Sequence, residues 1–534
     1  MKFEQDRPGG ARRKGAAGVT AEEVWARYQA GIRFKCDIGL YDTVTRNERF
    51  FAGDQWAGVR APDLPKPVVN FIKRACQQRI GEVRVNPLRV IFTAEEYPAQ
   101  QTGDDPPADD GAARLLNSLF RADWERLKMD ALSLDGLQDA CISGDCILYT
   151  YWDAGADTGQ AARGQAEAEL VDNVNYYPGD PNDRRVQTQP YIILARREAA
   201  ADVAAQAEQN GMPPPERDMI APDRDVWTQS GDMAAYELAD PAQRKCVTLL
   251  LLRRDAATGH IFAQKSVRGA VVRPEWDTGL SRYPLAMMNW ELRKNCCHGC
   301  AEITGLVPVQ RYVNQMYAMA MLFTMQSACP KPLFNQSMIR AWSTAVGEAV
   351  PVNGDVNAAA RYMEPPKIAS DAFTLPETLI RRTMEMLGVS DIELGNITPT
   401  NTSALALARN ASTIPVESIR TRFYTMMEDF ARNWLDMQFA CCTVPRWRMV
   451  GEGGERRRVV FDAAALRRRL WSVTVEVGQG ELWSEAASVQ TLTKLFDAGA
   501  ITAAQYIERL PEGYIPRRAA MLGEMRPRAR TEKE

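Results

Sequence analysis

The stretch Cys296-Cys297-His298-Gly299-Cys300 holds the residue types best suited to chemistry. Thiols and an imidazole this close together suit zinc, and a metal-dependent enzyme using Cys296, Cys297, His298 and Cys300 is one reading of the chain. A structural zinc site, however, draws two ligand pairs from separated segments. Here adjacent cysteines point apart and no second pair stands nearby, so the stretch reads as a tight glycine turn entering a helix. His260 and His298 are the only histidines, which leaves little room for imidazole acid–base work or a triad. Neither a G-x-x-x-x-G-K-[ST] loop nor a strand-linked G-x-G-x-x-G is present, and carboxylates cluster only in the run at 104–110. The expectation is a chain with no enzymatic activity, no cofactor and no metal.

Two other groups bear on binding. Arg446, Arg448, Arg456, Arg457, Arg458, Arg467, Arg468 and Arg469 have the charge to face DNA, although such runs are more often solvated faces, and a solvated hairpin and helix face is the expectation here. Asn396, Thr398, Thr400, Asn401, Thr402 and Ser403 form a polar loop, with no lysine or arginine between 389 and 408. Pro415 follows, lacks a backbone donor, and should kink the helix that contains it.

The elements around these residues follow from pattern. Val416, Ile419, Phe423, Met426, Phe430 and Trp434 share one helical face, and a helix over 416–440 spans roughly 37 Å at 1.5 Å per residue. Residues 306–328 are helical too, with Arg311 as the only charge. The second half is apolar nearly all round and should be buried on more than one side. Between these helices lie short β-like pieces over 331–370, and a helix over 374–387 with Pro376 in its first turn and Gly388 as its stop. Before them, Thr20 and Glu23 form a capping box. Helices follow over 41–52, 68–80, 110–128 and 131–141. Strands are expected over 88–93, 146–152, 169–177, 191–196 and 283–290, with a hairpin over 246–253 and 259–267. After them come a hairpin over 444–461, a strand over 471–477, and helices from Ser484 to 496, over 502–510 and over 516–525. This makes an α+β chain with antiparallel strands.

At 534 residues, roughly three to four packed units are expected from a norm of about 150 residues each. Hydrophobic residues at 45% and charged residues at 25% suit an ordinary soluble protein, and a net charge of −3 argues against bulk cationic binding to nucleic acid. The odd count of 11 cysteines, scattered without scaffold spacing, suggests a reduced intracellular history. The first 20 residues lack the apolar core of a secretory signal. The most membrane-like run, 316–323, falls short of the ~20 residues a spanning helix needs, so no membrane partner is expected.

Several stretches together resemble the portal proteins, or head–tail connectors, of tailed double-stranded DNA bacteriophages and prophages. They are NERFFAGDQW at 47–56, PKPVVNFI at 65–72, YYPGDPN at 176–182 with Gln189-Pro190-Tyr191, the strand at 283–290 with His298-Gly299, and VEVGQGELWS at 475–484. The order of elements continues the likeness along nearly the whole chain. The departures are an insertion near 211–240 and the paired cysteines. The resemblance implies the α+β portal fold: a flexible arm at 1–19, a wing at 20–298, a first stem helix at 299–330, a clip at 331–370 and a second stem helix at 371–388. A tunnel loop at 389–403, a kinked tunnel helix at 404–440, wing return strands at 441–480, crown helices at 481–525 and a tail at 526–534 complete it. It further implies a homo-oligomeric ring, a dodecamer in most of the family, made in the host bacterial cytoplasm and built into one capsid vertex of the virion. Double-stranded DNA would pass through that ring at packaging and ejection. The terminase large subunit, the major capsid protein and the head-completion proteins would be its partners. A scaffold protein that never touches DNA is a further alternative.

Overall fold

The computed structural model describes residues 18–84, 88–95, 110–160, 162–223, 244–328, 331–343, 345, 347–363, 371–388, 402–450, 457–477, 489, 492–499 and 501–510. The chain opens with α1 (Ala21–Asp37), and the capping box forms as expected: Thr20 accepts from the Glu23 backbone while Glu23 reaches back. Next come α2 (Leu40–Ala52), closed by Gly53 at φ +99°, and α3 (Phe71–Val83), capped by Asn70. β1 (Leu88–Glu95), α4 (Asp110–Arg126) and α5 (Met129–Ser143) follow. Gly144 at φ +102° then stops α5, as only glycine does without strain.

β2 (Asp145–Asp153) and β3 (Gln165–Leu170) form the next pair, before β4 (Tyr176–Pro178) and β5 (Tyr191–Ala199). A single strand over 169–177 does not form. Asp172 caps a 3-10 turn at Asn173–Asn175 and splits it in two, because its side chain takes the Val174 backbone donor that a ladder would need. The chain continues through α6 (Ala200–Gln209), α7 (Pro214–Arg217), β6 (Lys245–Arg254), β7 (Ile261–Ser266), β8 (Arg273–Asp277) and β9 (Leu285–Asn289). Then come α8 (Glu302–Ala328), β10 (Pro332–Phe334), α9 (Val356–Ala359), β11 (Ala360–Tyr362), α10 (Asp371–Met386) and α11 (Thr402–Cys441). The last elements are β12 (Arg446–Val450), β13 (Arg457–Phe461), α12 (Ala463–Leu466), β14 (Leu470–Val477) and α13 (Ala503–Arg509).

Every strand pairing among the described residues is antiparallel, as the sequence suggests. The largest sheet runs β4-β5-β6-β7-β8, a second runs β3-β2-β9, and β1 pairs with β14. Side chains on β5 and β6 alternate between two cores, as a period of two requires. Ile193, Leu249 and Leu251 meet Val24 and Tyr28 of α1, whereas Ile192, Leu194, Leu250 and Leu252 face the main core.

That core is centred on α11. Its expected apolar face is buried throughout, from Val416 through Ile419, Phe423, Met426 and Phe430 to Trp434. Trp434 meets Phe120 edge-on at 5.1 Å between ring centres, and Phe120 in turn meets Phe92 at 5.2 Å. The indole N–H of Trp434 donates to Asp123 at 3.0 Å, so the buried tryptophan leaves no polar atom unmatched.

Candidate functional site: a helical pair and its buried root

The Cys296–Cys300 stretch is indeed a tight turn entering a helix. Glu291 and Cys300 exchange backbone hydrogen bonds at 3.1 and 2.9 Å, and Asn295 takes the turn at φ +52°. The turn delivers His298 to Asp145, the first residue of β2. Asp145 is 2% exposed and each of its carboxylate oxygens has two partners. Oδ1 accepts from the Gly299 backbone and from Asn289 Nδ2, both at 2.7 Å. Oδ2 lies 2.7 Å from His298 Nδ1 and accepts from Asn173 Nδ2 at 3.3 Å. Burial opposes ionisation of Asp145, but His298 and then these donors outweigh it and hold the carboxyl below its ordinary value.

The thiols are occupied differently. The Cys297 thiol donates to Cys296 Sγ, which lowers Cys296 to about 6 and raises Cys297. Cys300 is exposed. Among the described residues, no three His, Cys, Asp or Glu side chains are grouped to hold a metal ion. The bonds of the turn to Asp145 and Asn289 fix the start of α8 against β2 and β9.

Gly299 permits this root to close. A Cβ there would lie 2.7 Å from Glu291 O and 2.8 Å from Gly144 O, both fixed backbone atoms. Gly299→Ala should therefore cost about 1–3 kcal/mol through overpacking, read as a lower urea midpoint. Gly305→Ala on α8, where nothing lies within 4 Å, serves as the control that should not weaken the fold. An unchanged midpoint for Gly299→Ala would contradict the close approach.

From that root the first half of α8 is tied down by polar contacts. Glu302 is buried; its carboxylate accepts from Trp290 Nε1 at 2.5 Å and lies 3.8 Å from Arg79. Asn47 donates to Thr304 Oγ1 at 2.9 Å. Gln310 donates to Val69 O at 2.7 Å and to Asn314 at 2.9 Å, and Asn314 passes the chain on to Gln55 at 2.6 Å. Such a buried network fixes where the helix leaves the core.

Past Asn314 the environment changes. α10 packs along α8 and buries Met384, Ala318 and Ala320. Much of the apolar surface is open: Met319 and Met325 are 59% exposed each and Met386 on α10 87%, and Tyr312, just before Asn314, is 61% exposed. The expectation that the second half of α8 is buried on several sides thus fails for a single chain, because α10 covers only one side. Beyond the pair, β10 and β11 form a small sheet around Phe334, Trp342 and Tyr362, whose rings lie 5.7 and 6.2 Å apart in sequence. Large apolar patches rimmed by polar residues mark sites of association.

The expected polar loop lies mostly outside the described residues, including Asn396, Thr398, Thr400 and Asn401. Thr402 and Ser403 already belong to α11, and Pro415 falls within its continuous helical run. Arg446 departs from the expected solvated face. It is buried, donates to Gly164 O and to Arg163 O, and lies over the Trp152 ring at 5.1 Å. Arg467, Arg468 and Arg469 are exposed as expected. Sequence reasoning missed Asp145 altogether; the one local hint was that His298 is among only two histidines. No described helix is long and apolar enough to cross a membrane.

No protein-family description matches the chain, and no curated protein matches it. Among solved structures, the chain is similar to one from the neck of a native GTA particle computed with C12 symmetry. The two share 10% identity over 88% of this chain and 94% of that one, with a TM-score of 0.37.

Proposed function

We propose that this protein is a portal subunit: copies close into a ring, most simply a dodecamer, at one capsid vertex of a tailed phage or prophage particle. Double-stranded DNA moves through the ring during packaging and ejection. The segment 331–370 takes the terminase large subunit and later the head-completion proteins, and the outer body sits in the shell of major capsid protein. No catalysis is assigned to it. The observation that carries this reading is the open apolar surface of α8 and α10, at Tyr312, Met319, Met325 and Met386. A helix pair firmly rooted at one end and uncovered along its length suits a neighbour that is another copy of itself. A head-to-tail contact of this kind generates a ring when its rotation closes.

In this reading the polar segment 389–403 lines the tunnel and α11 backs it. Lacking lysine and arginine, that lining touches passing phosphates without arresting them. The experiment is to purify the full chain and a deletion of 396–403, and to count subunits by mass photometry and electron microscopy. Both should give the same closed ring, while the deletion should abolish DNA packaging in a complementation assay. Monomers of the full chain at all salt concentrations would sink the ring. Loss of the ring on deletion alone would make the loop structural.

A further inference from the structure

The stretch 446–469 carries eight arginines, no lysine, and only Glu452, Glu455 and Asp462 as acids, in a chain whose net charge is −3. The structure divides these arginines by role. Arg446 is buried and anchors the hairpin to the 160–164 segment, where Gln160 also exchanges hydrogen bonds with the Trp447 backbone at 2.9 and 3.0 Å. Arg458, Arg467, Arg468 and Arg469 are exposed. None of the four makes an ion pair with a described residue. Asp462, the one described acid within 446–469, caps α12 by accepting from the Ala464 and Ala465 backbone.

The same stretch also exposes an aromatic side chain. Trp447 is 48% exposed, with the Arg458 guanidinium 4.0 Å from its ring centre. Stacking of this kind orients a guanidinium while leaving its N–H groups free to donate. Positive charge that no described residue pairs, on a hairpin held firmly at its base, is complementary to a polyanion. Three consecutive exposed arginines at 467–469 supply adjacent donors without any described pocket around them. That favours a regular array of phosphates over a particular acidic protein surface.

We propose that Arg458, Arg467, Arg468 and Arg469, with Trp447, form a second contact surface for the phosphates of double-stranded DNA, separate from the segment 389–403. The contact needs no ring, since every group belongs to one subunit. It therefore stands or falls apart from the portal reading. Its character is sequence-independent and salt-sensitive.

The test is fluorescence anisotropy of the full chain with a labelled random-sequence duplex across a salt series, with particle mass recorded on the same samples. For R458Q/R467Q/R468Q/R469Q the expected result is at least tenfold weaker binding. The slope of log K against log salt should flatten by about 0.9 for each arginine in contact. R381Q/R382Q, removing two exposed arginines of α10, should bind as the parent does. The triple variant R467Q/R468Q/R469Q, which leaves the hairpin untouched, should fall between the two. Unchanged affinity and slope in the quadruple variant would overturn the proposal, as would an equal loss in R381Q/R382Q. Displacement of the duplex by polyglutamate of equal charge as readily as by unlabelled DNA would overturn it too, in favour of an acidic protein partner.

Discussion

Asp145→Ala is expected to lower stability by about 3 kcal/mol or more, because it removes the acceptor at the centre of a buried hydrogen-bonded network. The loss is large because four donors or ring nitrogens converge on that carboxylate: His298, Asn289, Asn173 and the Gly299 backbone. Alanine removes all four contacts in a site that is 2% exposed, leaving only Asn289 and Asn173 with second acceptors, Cys297 O and Ser143 O. The pH dependence has a definite sign. The folded state holds the carboxyl below its ordinary value, so its contribution is complete above the unfolded carboxylate range near ~3.9. It is lost as pH falls through the lower folded value. Urea titrations from neutral to acid pH should show a component in the parent that Asp145→Ala lacks. An unchanged midpoint, or an identical acid limb in both proteins, would remove Asp145 from its role as the root of α8. Because a chain of this size unfolds in parts, hydrogen exchange at 296–310 gives the local readout.

The second large effect concerns assembly. If the proposed ring forms through α8, Met319→Glu combined with Met325→Glu should convert rings to monomers, lowering the ring fraction at least tenfold by mass photometry. Both methionines are 59% exposed in the subunit, so the subunit's own melting temperature should not move. Carboxylates desolvated at every repeat of a closed interface are strongly unfavourable. Met219→Glu, at a site 56% exposed on the other side of the chain's sequence, is the control and should leave rings intact. Rings that survive the double substitution would show that α8 is not the subunit interface. A lowered melting temperature would show that these side chains stabilise the subunit itself.

Legibility from sequence followed the range of the interactions. Thr20 with Glu23, Gly53 after α2 and Gly144 after α5 act within one turn of a helix, and each could be read directly. The face of α11 from Val416 to Trp434 was legible for the same reason, since its spacing alone defines it. β8 was missed because Arg273-Pro274-Glu275-Trp276-Asp277 carries a proline and two acids. It forms only as an edge strand beside β7, with a register shift between Ala263 and Lys265. Asp145 was missed because its partners come from 173, 289, 298 and 299, and no local pattern joins those positions. The buried role of Arg446 was hidden in the same way, inside a run whose other members look identical in sequence.

The pairing of β1 with β14 has a consequence for the order of events in synthesis. Leu88–Glu95 finds its ladder partner only in Leu470–Val477, close to the other end of the chain. The entropic cost of closing a loop grows slowly with its length, but the ribosome imposes a stricter schedule. No nascent chain shorter than this can complete the sheet beside α4 and α11. The open surface of α8 emerges well before that strand does, so the chain presents its apolar helix pair for a time on an unfinished body. That late strand thus acts as a checkpoint: until residues 470–477 have been made, the framework around β1 is unfinished.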